Sequence, residues 1–223
     1  MKNIILSSIF IFYFFQRSGA QENLPVIIMP AKTDTSLPLV FMISGDGGWK
    51  TFDKQLSQQF INKNIPVVGL NALKFFWNKK TPEQATQAVS DLIKQYMQQW
   101  RKTRFILVGF SFGADVMPFI INRMAPDLSA RNSLVALFSP GPTTDFEIHI
   151  SQMLSGNKKW KYNVADEINR IKSKKVLCFF GDHKSGFPVN DLPKENCYVI
   201  YLQGGHEFEN NKTDMAKLVL QYY

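Results

Sequence analysis

The sequence has few of the residues and patterns that mark metal-dependent, nucleotide-dependent and nucleic-acid-binding proteins. It contains only 2 cysteines and 3 histidines in 223 residues, and their spacing matches no metal site. No Gly-Lys-Ser/Thr of a phosphate-binding loop follows its glycine-rich stretch, SGDGGW at 44–49. It also lacks an arginine-rich run or a basic stripe with interleaved aromatic residues. We therefore expect no metal, no cofactor and no nucleic-acid partner.

An apolar run stands apart at the amino terminus. Lys2 precedes residues 4–15, which are almost wholly apolar, and small residues surround Ala20 as at a cleavage site. The run is too short to span a membrane comfortably, and polar residues follow it. We predict a signal peptide over 1–20 that is cleaved after Ala20, export to the periplasm, and a single domain over 21–223. An uncleaved membrane anchor is the alternative.

The overall charge and the cysteines leave two further questions open. A net charge of +8 favours anionic surfaces or substrates, and it serves equally well as a solubilising surface. Cys178 and Cys197 would form a disulfide in an oxidising compartment, although Cys178 belongs to a predicted buried strand and is equally suited to remain a free thiol.

Short apolar runs alternate with helical segments along the rest of the chain. Continuous apolar runs of this length are typical of strands whose sheet is covered on both faces, as in parallel α/β sheets. The pattern therefore predicts a three-layer α/β fold without an internal domain boundary. The predicted strands are 24–29, 39–44, 66–70, 104–110, 133–138, 175–180 and 197–202. The predicted helices are 51–64, 82–100, 112–124 and 214–222.

One region departs from this alternation. The stretch TDFEIHI at 144–150 has apolar and polar residues in strict succession. Period-two alternation predicts a half-exposed strand, whose polar face would carry Asp145, Glu147 and His149. Residues 139–163 are predicted to form an excursion above the sheet. Ligands of such folds bind at the carboxyl ends of the strands, where excursions shape the pocket.

The stretch GFSFGAD at 109–115 lies between a predicted strand and a predicted helix. Gly-x-Ser-x-Gly in this setting indicates a nucleophile elbow with Ser111 as the nucleophile. Gly109 and Gly113 would remove side chains that clash with the turn and the neighbouring strand. The N–H of Phe112, at the start of the helix, would face a developing oxyanion. A tight turn with a buried serine is the alternative.

A second oxyanion donor is expected from the loop after an earlier strand. SGDGGW at 44–49 follows an apolar run, and its glycines let backbone N–H groups approach a ligand. The N–H of Asp46 or Gly47 is the predicted donor. The Asp46 side chain would orient the loop or accept a hydrogen bond from substrate.

A catalytic base and an acid are needed to complete the site. His206, in QGGHEF between the last strand and the final helix, holds the chain-order position of the base. His183 and His149 are the other histidines. The acid should follow the strand 175–180, and Asp182 is the first choice, with Asp191 second.

Four stretches together resemble the bacterial virulence protein family VirJ/AcvB, exported α/β-hydrolase-like proteins. They are SGDGGW, GFSFGADVMP, FSPGPTTDFEIHIS and GGHEF, and the third belongs to no generic hydrolase motif. The resemblance implies an α/β-hydrolase fold with a mostly parallel central sheet and a minimal cap. It also implies an exported serine hydrolase with its serine at Ser111 and its histidine at His206. The family carries a glutamate near the position of Lys184, and this sequence departs from it there.

The same family has been linked to virulence-related secretion and to hydrolysis of aminoacylated phosphatidylglycerol, specifically the lysyl ester. We therefore predict a serine esterase with a Ser111–His206–Asp182 triad, an anionic membrane lipid as substrate and secretion-system proteins as partners. Carboxylates near the pocket would receive the ammonium groups of such a substrate. The predicted substrate-binding residues are Asp115, Asp145, Glu147 and His149. The alternatives are a non-catalytic lipid- or protein-binding module on the same scaffold and a hydrolase of small soluble esters.

Overall fold

The computed structural model describes residues 24–32, 36–148, 160–172, 174–182, 186–209 and 211–223. The strands are β1 (Val26–Met29), β2 (Leu39–Ile43), β3 (Val67–Leu70), β4 (Phe105–Phe110), β5 (Asn132–Phe138), β6 (Thr143–Thr144), β7 (Tyr162–Asn163), β8 (Lys175–Phe180) and β9 (Cys197–Tyr201). The helices are α1 (Thr51–Ile61), α2 (Ala72–Phe75), α3 (Pro82–Gln99), α4 (Phe112–Arg123), α5 (Pro126–Ser129), α6 (Val164–Asn169) and α7 (Met215–Leu220), with a 3₁₀ turn at Val189–Asp191.

The predicted strands assemble into one sheet. Within the described residues it has seven strands in the order β1-β3-β2-β4-β5-β8-β9. β1 is antiparallel to β3, and every other neighbouring pair is parallel. This is the mostly parallel central sheet that the sequence predicts. Its crossovers bring the carboxyl ends of β2, β4, β5, β8 and β9 to the same edge.

Helices cover both faces of the sheet, which explains why its strands are continuously apolar. All residues of β2 and β4 are buried. On one face, alternate strand side chains pack with α3, α4 and α6 in the larger of two apolar clusters. On the other face, the intervening side chains pack with α1 and α7. The three-layer architecture is therefore confirmed.

The start of α3 follows its local sequence. The Thr81 hydroxyl accepts from the N–H of Gln84, and the Gln84 side chain accepts from the N–H of Thr81. Pro82 occupies the first turn, where its missing N–H costs no hydrogen bond. This capping box fixes the beginning of an 18-residue helix that packs against α4.

The prediction of a strand over 144–150 is wrong for the residues that the structure describes. β6 ends at Thr144, and the following residues run irregularly across the loop after α2. The N–H of Lys80 donates to the carbonyl of Phe146, and the N–H of Ile148 donates to the carbonyl of Phe76. These single hydrogen bonds replace the ladder that a strand would need.

Side-chain packing explains this departure. Phe146 is fully buried, and its ring makes edge contacts with those of Phe119 and Tyr162. Asp145 is only 7% exposed, and its Oδ1 accepts from the N–H of Phe146, a local bond that competes with strand pairing. The expected solvent-facing polar side is therefore not formed at Asp145, and His149 lies outside the described residues.

The remaining predictions concern the ends and the cysteines. The segment 1–20 lies outside the described residues, so its assignment as a signal peptide stays a prediction. Across the described part of the chain, no helix has both the length and the apolar character that crossing a membrane requires. Cys178 and Cys197 are free thiols on neighbouring strands, with their Sγ atoms 3.6 Å apart.

Candidate active site

The predicted site residues follow strands that are neighbours in the sheet. Ser111 comes directly after β4, the SGDGGW loop after β2, Asp182 after β8 and His206 after β9. Because these strands are parallel, their carboxyl ends meet at one edge, which is where ligands of open α/β sheets bind. Four widely separated parts of the sequence thus share one edge of the sheet.

Ser111 occupies a sharp turn between β4 and α4. Its backbone has φ 50° and ψ −119°, a conformation that a non-glycine residue rarely adopts. The N–H of Ser111 donates to the carbonyl of Phe138 at 2.8 Å, and its carbonyl accepts from the N–H of Asp115 at 3.0 Å. The turn is thus held by β5 on one side and by α4 on the other, as a nucleophile elbow requires.

The two glycines of the motif are needed by this turn. A Cβ built on Gly109 would lie 2.5 Å from the carbonyl oxygen of Gly113. One built on Gly113 would lie 2.1 Å from the carbonyl oxygen of Ile43, at the end of β2. Both distances are far below van der Waals contact, so α4 can approach the sheet this closely only with glycine at both positions.

His206 reaches the Ser111 side chain. Its Nε2 lies 2.9 Å from Ser111 Oγ, within hydrogen-bond distance of a nucleophile and its base. The imidazole packs beside the ring of Phe110, with centroids 5.5 Å apart. Ser139, directly after β5, donates its hydroxyl to the carbonyl of His206 at 2.7 Å. The structure therefore brings the predicted serine and histidine together and ties the histidine backbone to β5.

Asp182 is close to the His206 loop but bonded to its backbone. Its Oδ2 accepts from the N–H of Gly204 at 2.8 Å, and its own N–H donates to the carbonyl of Gly204 at 2.7 Å. Among the described residues, no hydrogen bond joins the imidazole of His206 to the carboxylate of Asp182 or of Asp191. The assignment of Asp182 as the acid stays a prediction, and residues 183–185 lie outside the described residues.

The loop after β2 lies against Ser111. A Cβ built on Gly45 would be 3.4 Å from Ser111 Cβ, so this glycine is the loop residue beside the serine. The N–H of Gly48 donates to the carbonyl of Gly45 at 3.0 Å and closes a tight turn. In the described chain, the N–H groups of Asp46 and Gly47 donate to no backbone carbonyl. They therefore remain candidates for the oxyanion site, together with the N–H of Phe112 in the first turn of α4.

Two carboxylates lie near this edge of the sheet. Asp115, in the first turn of α4, accepts from the N–H of Gly141 through Oδ1 at 2.6 Å. Burial raises the pKa of Asp115 well above its ordinary value, the Gly141 hydrogen bond opposes this, and the Asp46 carboxylate adds to the increase. The Asp46 charge therefore disfavours the ionised form of Asp115, and a cation placed near both groups would favour that form.

The other predicted substrate-binding residues are not joined to the serine and histidine. Asp145 is buried beside Phe146, and Glu147 is half-buried. Among the described residues, no hydrogen bond links either carboxylate to Ser111 or His206. Their role as substrate ligands stays a prediction, as does that of His149, which lies outside the described residues.

Three residues at the site were missed by reasoning from the sequence. Gly45 lies beside Ser111, and Ser139 donates to the His206 carbonyl. Lys50 folds back over the SGDGGW loop, so that its Nζ lies 2.7 Å from a Cβ built on Gly47. A signal existed for Ser139, which lies in the specific stretch FSPGP directly after a predicted strand. Nothing in the sequence indicates the direction of a lysine side chain.

Comparison with solved structures identifies the fold. Est1E from Butyrivibrio proteoclasticus, solved with ferulic acid bound, has 13% identity and a TM-score of 0.63, over 89% of this chain and 95% of that chain. Proline iminopeptidase from Mycobacterium smegmatis has 12% identity and a TM-score of 0.59, over 88% and 94%. MenH from S. aureus has 14% identity and a TM-score of 0.58, over 88% and 97%. At these identities the likeness establishes the fold alone, which is that of the α/β hydrolases.

Comparison of the sequence with protein families is more specific than the comparison of folds. A family model described as "Bacterial virulence protein (VirJ)" matches residues 38–223, which include every described residue of the site. No curated protein gives a significant match.

Proposed function

The chain belongs to the VirJ family of bacterial virulence proteins, and from this premise we propose that it is an exported serine esterase. The proposed substrate is the aminoacyl ester, specifically the lysyl ester, of phosphatidylglycerol. The observation that carries the proposal is the 2.9 Å contact between His206 Nε2 and Ser111 Oγ at a strained strand-to-helix turn. Periplasmic location and association with secretion-system proteins are parts of the same proposal.

The proposed chemistry uses Ser111 and His206 in their usual roles. Ser111 Oγ attacks the ester carbonyl while His206 Nε2 takes the hydroxyl proton. N–H groups of the SGDGGW loop and of Phe112 stabilise the oxyanion. Collapse of the tetrahedral intermediate expels the glycerol oxygen, which receives the proton from His206. Water then cleaves the aminoacyl–serine ester by the same steps, releasing the amino acid and regenerating the serine.

Asp182 is the proposed acid. Its carboxylate already lies at the His206 loop, where it accepts from the N–H of Gly204. A carboxylate at this position would stabilise the imidazolium and fix the ring orientation once it reaches Nδ1.

The charges around the serine support a substrate that carries both signs. Burial and the Asp46 charge both disfavour ionisation of Asp115, so an ammonium group bound near the two acids would favour the ionised form of Asp115. The Lys50 ammonium lies beside Gly47 of the same loop and is suited to a phosphate oxygen. An aminoacyl ester of phosphatidylglycerol has ammonium groups on the acyl side and a phosphate on the alcohol side.

A fluorophosphonate probe tests the catalytic serine. The mature domain should be labelled covalently, Ser111→Ala should abolish the labelling, and Ser129→Ala, on α5, should leave it unchanged. Labelled protein should then be compared with unlabelled protein for release of lysine from lysyl-phosphatidylglycerol vesicles. An unlabelled parent, or equal labelling of Ser111→Ala, contradicts the proposal.

A non-catalytic binding protein on the same scaffold is the second candidate. It is favoured by one observation, namely that the Asp182 carboxylate bonds to Gly204 rather than to the His206 ring. This candidate requires capture of aminoacylated lipid that is undiminished in Ser111→Ala and unaccompanied by ester cleavage. A hydrolase of small esters would instead turn over short soluble esters in preference to the lipid.

A further inference from the structure

A basic cleft lies at the edge of the sheet opposite Ser111. Two adjoining open cavities of about 590 and 470 Å³ share Ala130 and Lys174 among their lining residues. The second is lined by Arg104, just before β4, by Asn132 at the start of β5 and by Lys175 at the start of β8. These are the amino ends of three adjacent parallel strands. The cleft and the candidate active site are therefore separated by the length of the sheet.

Among the described residues, the charged side chains that line the cleft are all basic. The basic side chains are those of Arg104, Arg170, Lys172, Lys174 and Lys175. Two of them already have partners, since Arg170 pairs with Glu167 and Lys175 donates to the carbonyl of Tyr222. Within the described chain, the other three form no ion pair with a carboxylate.

The positive charges of Arg104 and Lys174 repel each other. Burial lowers the pKa of Lys174, and the positive charge of Arg104 lowers it further. An uncompensated pair of like charges costs free energy that a bound anion would recover. Because Lys174 lines both cavities, an anion bound to its ammonium group would lie where the two cavities adjoin.

We infer that this cleft binds a phosphate-bearing anion between Arg104 and Lys174. A guanidinium donates two parallel hydrogen bonds to phosphate oxygens, and an ammonium adds a compact charge. The cavity volumes are those of small-ligand sites. The phosphate belongs either to a soluble phosphate compound or to a lipid headgroup. This site does not depend on the proposed esterase activity, because none of its residues touches Ser111 or His206.

Calorimetric titration of the full chain tests the inference with two probes. One is inorganic pyrophosphate, and the other is phosphatidylglycerol vesicles, with phosphatidylcholine vesicles as the neutral control. The double variant Arg104→Gln/Lys174→Gln should weaken binding about tenfold or more, since both charge-assisted contacts are lost. Lys54→Gln/Lys94→Gln removes the same charge from exposed positions on α1 and α3 and should leave the affinity within about twofold.

The arms of the experiment separate the sources of phosphate. Binding of pyrophosphate that depends on Arg104 and Lys174 assigns the cleft to soluble phosphate compounds. Binding of phosphatidylglycerol vesicles alone, with the same dependence, assigns it to a lipid headgroup. No binding of either probe, or equal weakening by the control pair, overturns the inference. Thermal unfolding of each variant verifies that it is folded. Because the titration measures binding and not ester cleavage, its result does not depend on whether Ser111 is catalytic.

Discussion

Two serines adopt left-handed backbone conformations at the ends of adjacent strands. Ser111 after β4 has φ 50°, and Ser139 after β5 has φ 52°. Such conformations cost about 1 kcal/mol or more and persist where surrounding contacts hold them. The Ser139 N–H donates to the carbonyl of Phe179, and its hydroxyl donates to the carbonyl of His206. Ser139 is therefore placed to fix the position of His206 relative to Ser111.

Removal of the Ser139 hydroxyl should slow catalysis without weakening substrate binding. In Ser139→Ala the His206 carbonyl loses its donor, the imidazole becomes less well positioned, and we expect kcat for an ester to fall about tenfold with KM unchanged. Ser139→Gly also lacks the hydroxyl but accepts the positive φ, so it should show the same loss of kcat with less loss of stability. A glycine variant with full activity would contradict this role.

The approach of Ser111 to His206 could be predicted from the sequence, and the hydrogen-bond partner of the Asp182 carboxylate could not. Ser111 carries a strand–turn–helix signature, and His206 has its place in chain order. Which carboxylate reaches an imidazole depends on how closely the loops that carry the two groups approach each other. Here the Asp182 side chain accepts from the N–H of Gly204 instead. Likewise the direction of the Lys50 side chain results from packing over the turn at Gly47.

At the scale of elements, the site depends on how closely α4 approaches β2. Gly113 faces the carbonyl oxygen of Ile43, and a Cβ there would overlap backbone atoms, which cannot move aside as a flexible side chain does. Gly141 has room for a side chain, because a Cβ built there would lie 3.5 Å from the Asp115 carboxylate oxygens, an ordinary contact distance.

Gly113→Ala should therefore destabilise the protein strongly, and Gly141→Ala should not. We expect Gly113→Ala to lower the free energy of unfolding by about 3 kcal/mol as α4 is forced away from β2. Gly141→Ala should change it by less than about 0.5 kcal/mol. Urea unfolding followed by circular dichroism measures both, and equal stabilities would refute the packing argument.

Elements with long apolar patterns were predictable, and short or contact-determined ones were not. Each predicted strand of the central sheet agrees with the structure to within two residues at either end. The helices α2, α5 and α6 have only four to six residues, too few to show a helical period, whereas the six residues of α7 lie within a longer predicted segment, 214–222. The stretch 144–150 has the period of a strand, but burial of Phe146 against α4 decided its conformation.

At the scale of the whole molecule, the two edges of the sheet carry different charges. The carboxyl edge holds Asp46 and the buried Asp115 near Ser111. The amino edge holds Arg104 and Lys174 of the basic cleft, which form no ion pair with any described carboxylate. Near Ser111, the carboxyl edge also carries the Lys50 ammonium, which lies beside Gly47. This arrangement suits a cationic acyl group at one edge and an anion at the other.

The buried carboxyl group of Asp53 makes the stability of the fold depend on pH. It is 1% exposed in the first turn of α1, its Oδ2 accepts from the N–H of Lys50 at 2.9 Å, and its Oδ1 has no partner among the described residues. Burial raises the pKa of Asp53 to about 7, and the negative charge of Glu207 adds to the shift. The folded state therefore holds this proton more tightly than the unfolded chain does.

Stability should fall as pH rises from about 4 to 7, because the unfolded chain releases the Asp53 proton first. The loss from this group is at most about 4 kcal/mol, and Asp115 acts in the same direction. Asp53→Asn keeps an acceptor for the Lys50 N–H but cannot ionise, so its free energy of unfolding should decline less between pH 5 and pH 8. The exposed Asp127→Asn should retain the parent slope. Urea titrations across this range measure the three slopes, and a slope for Asp53→Asn equal to that of the parent would show that Asp53 does not titrate as its burial requires.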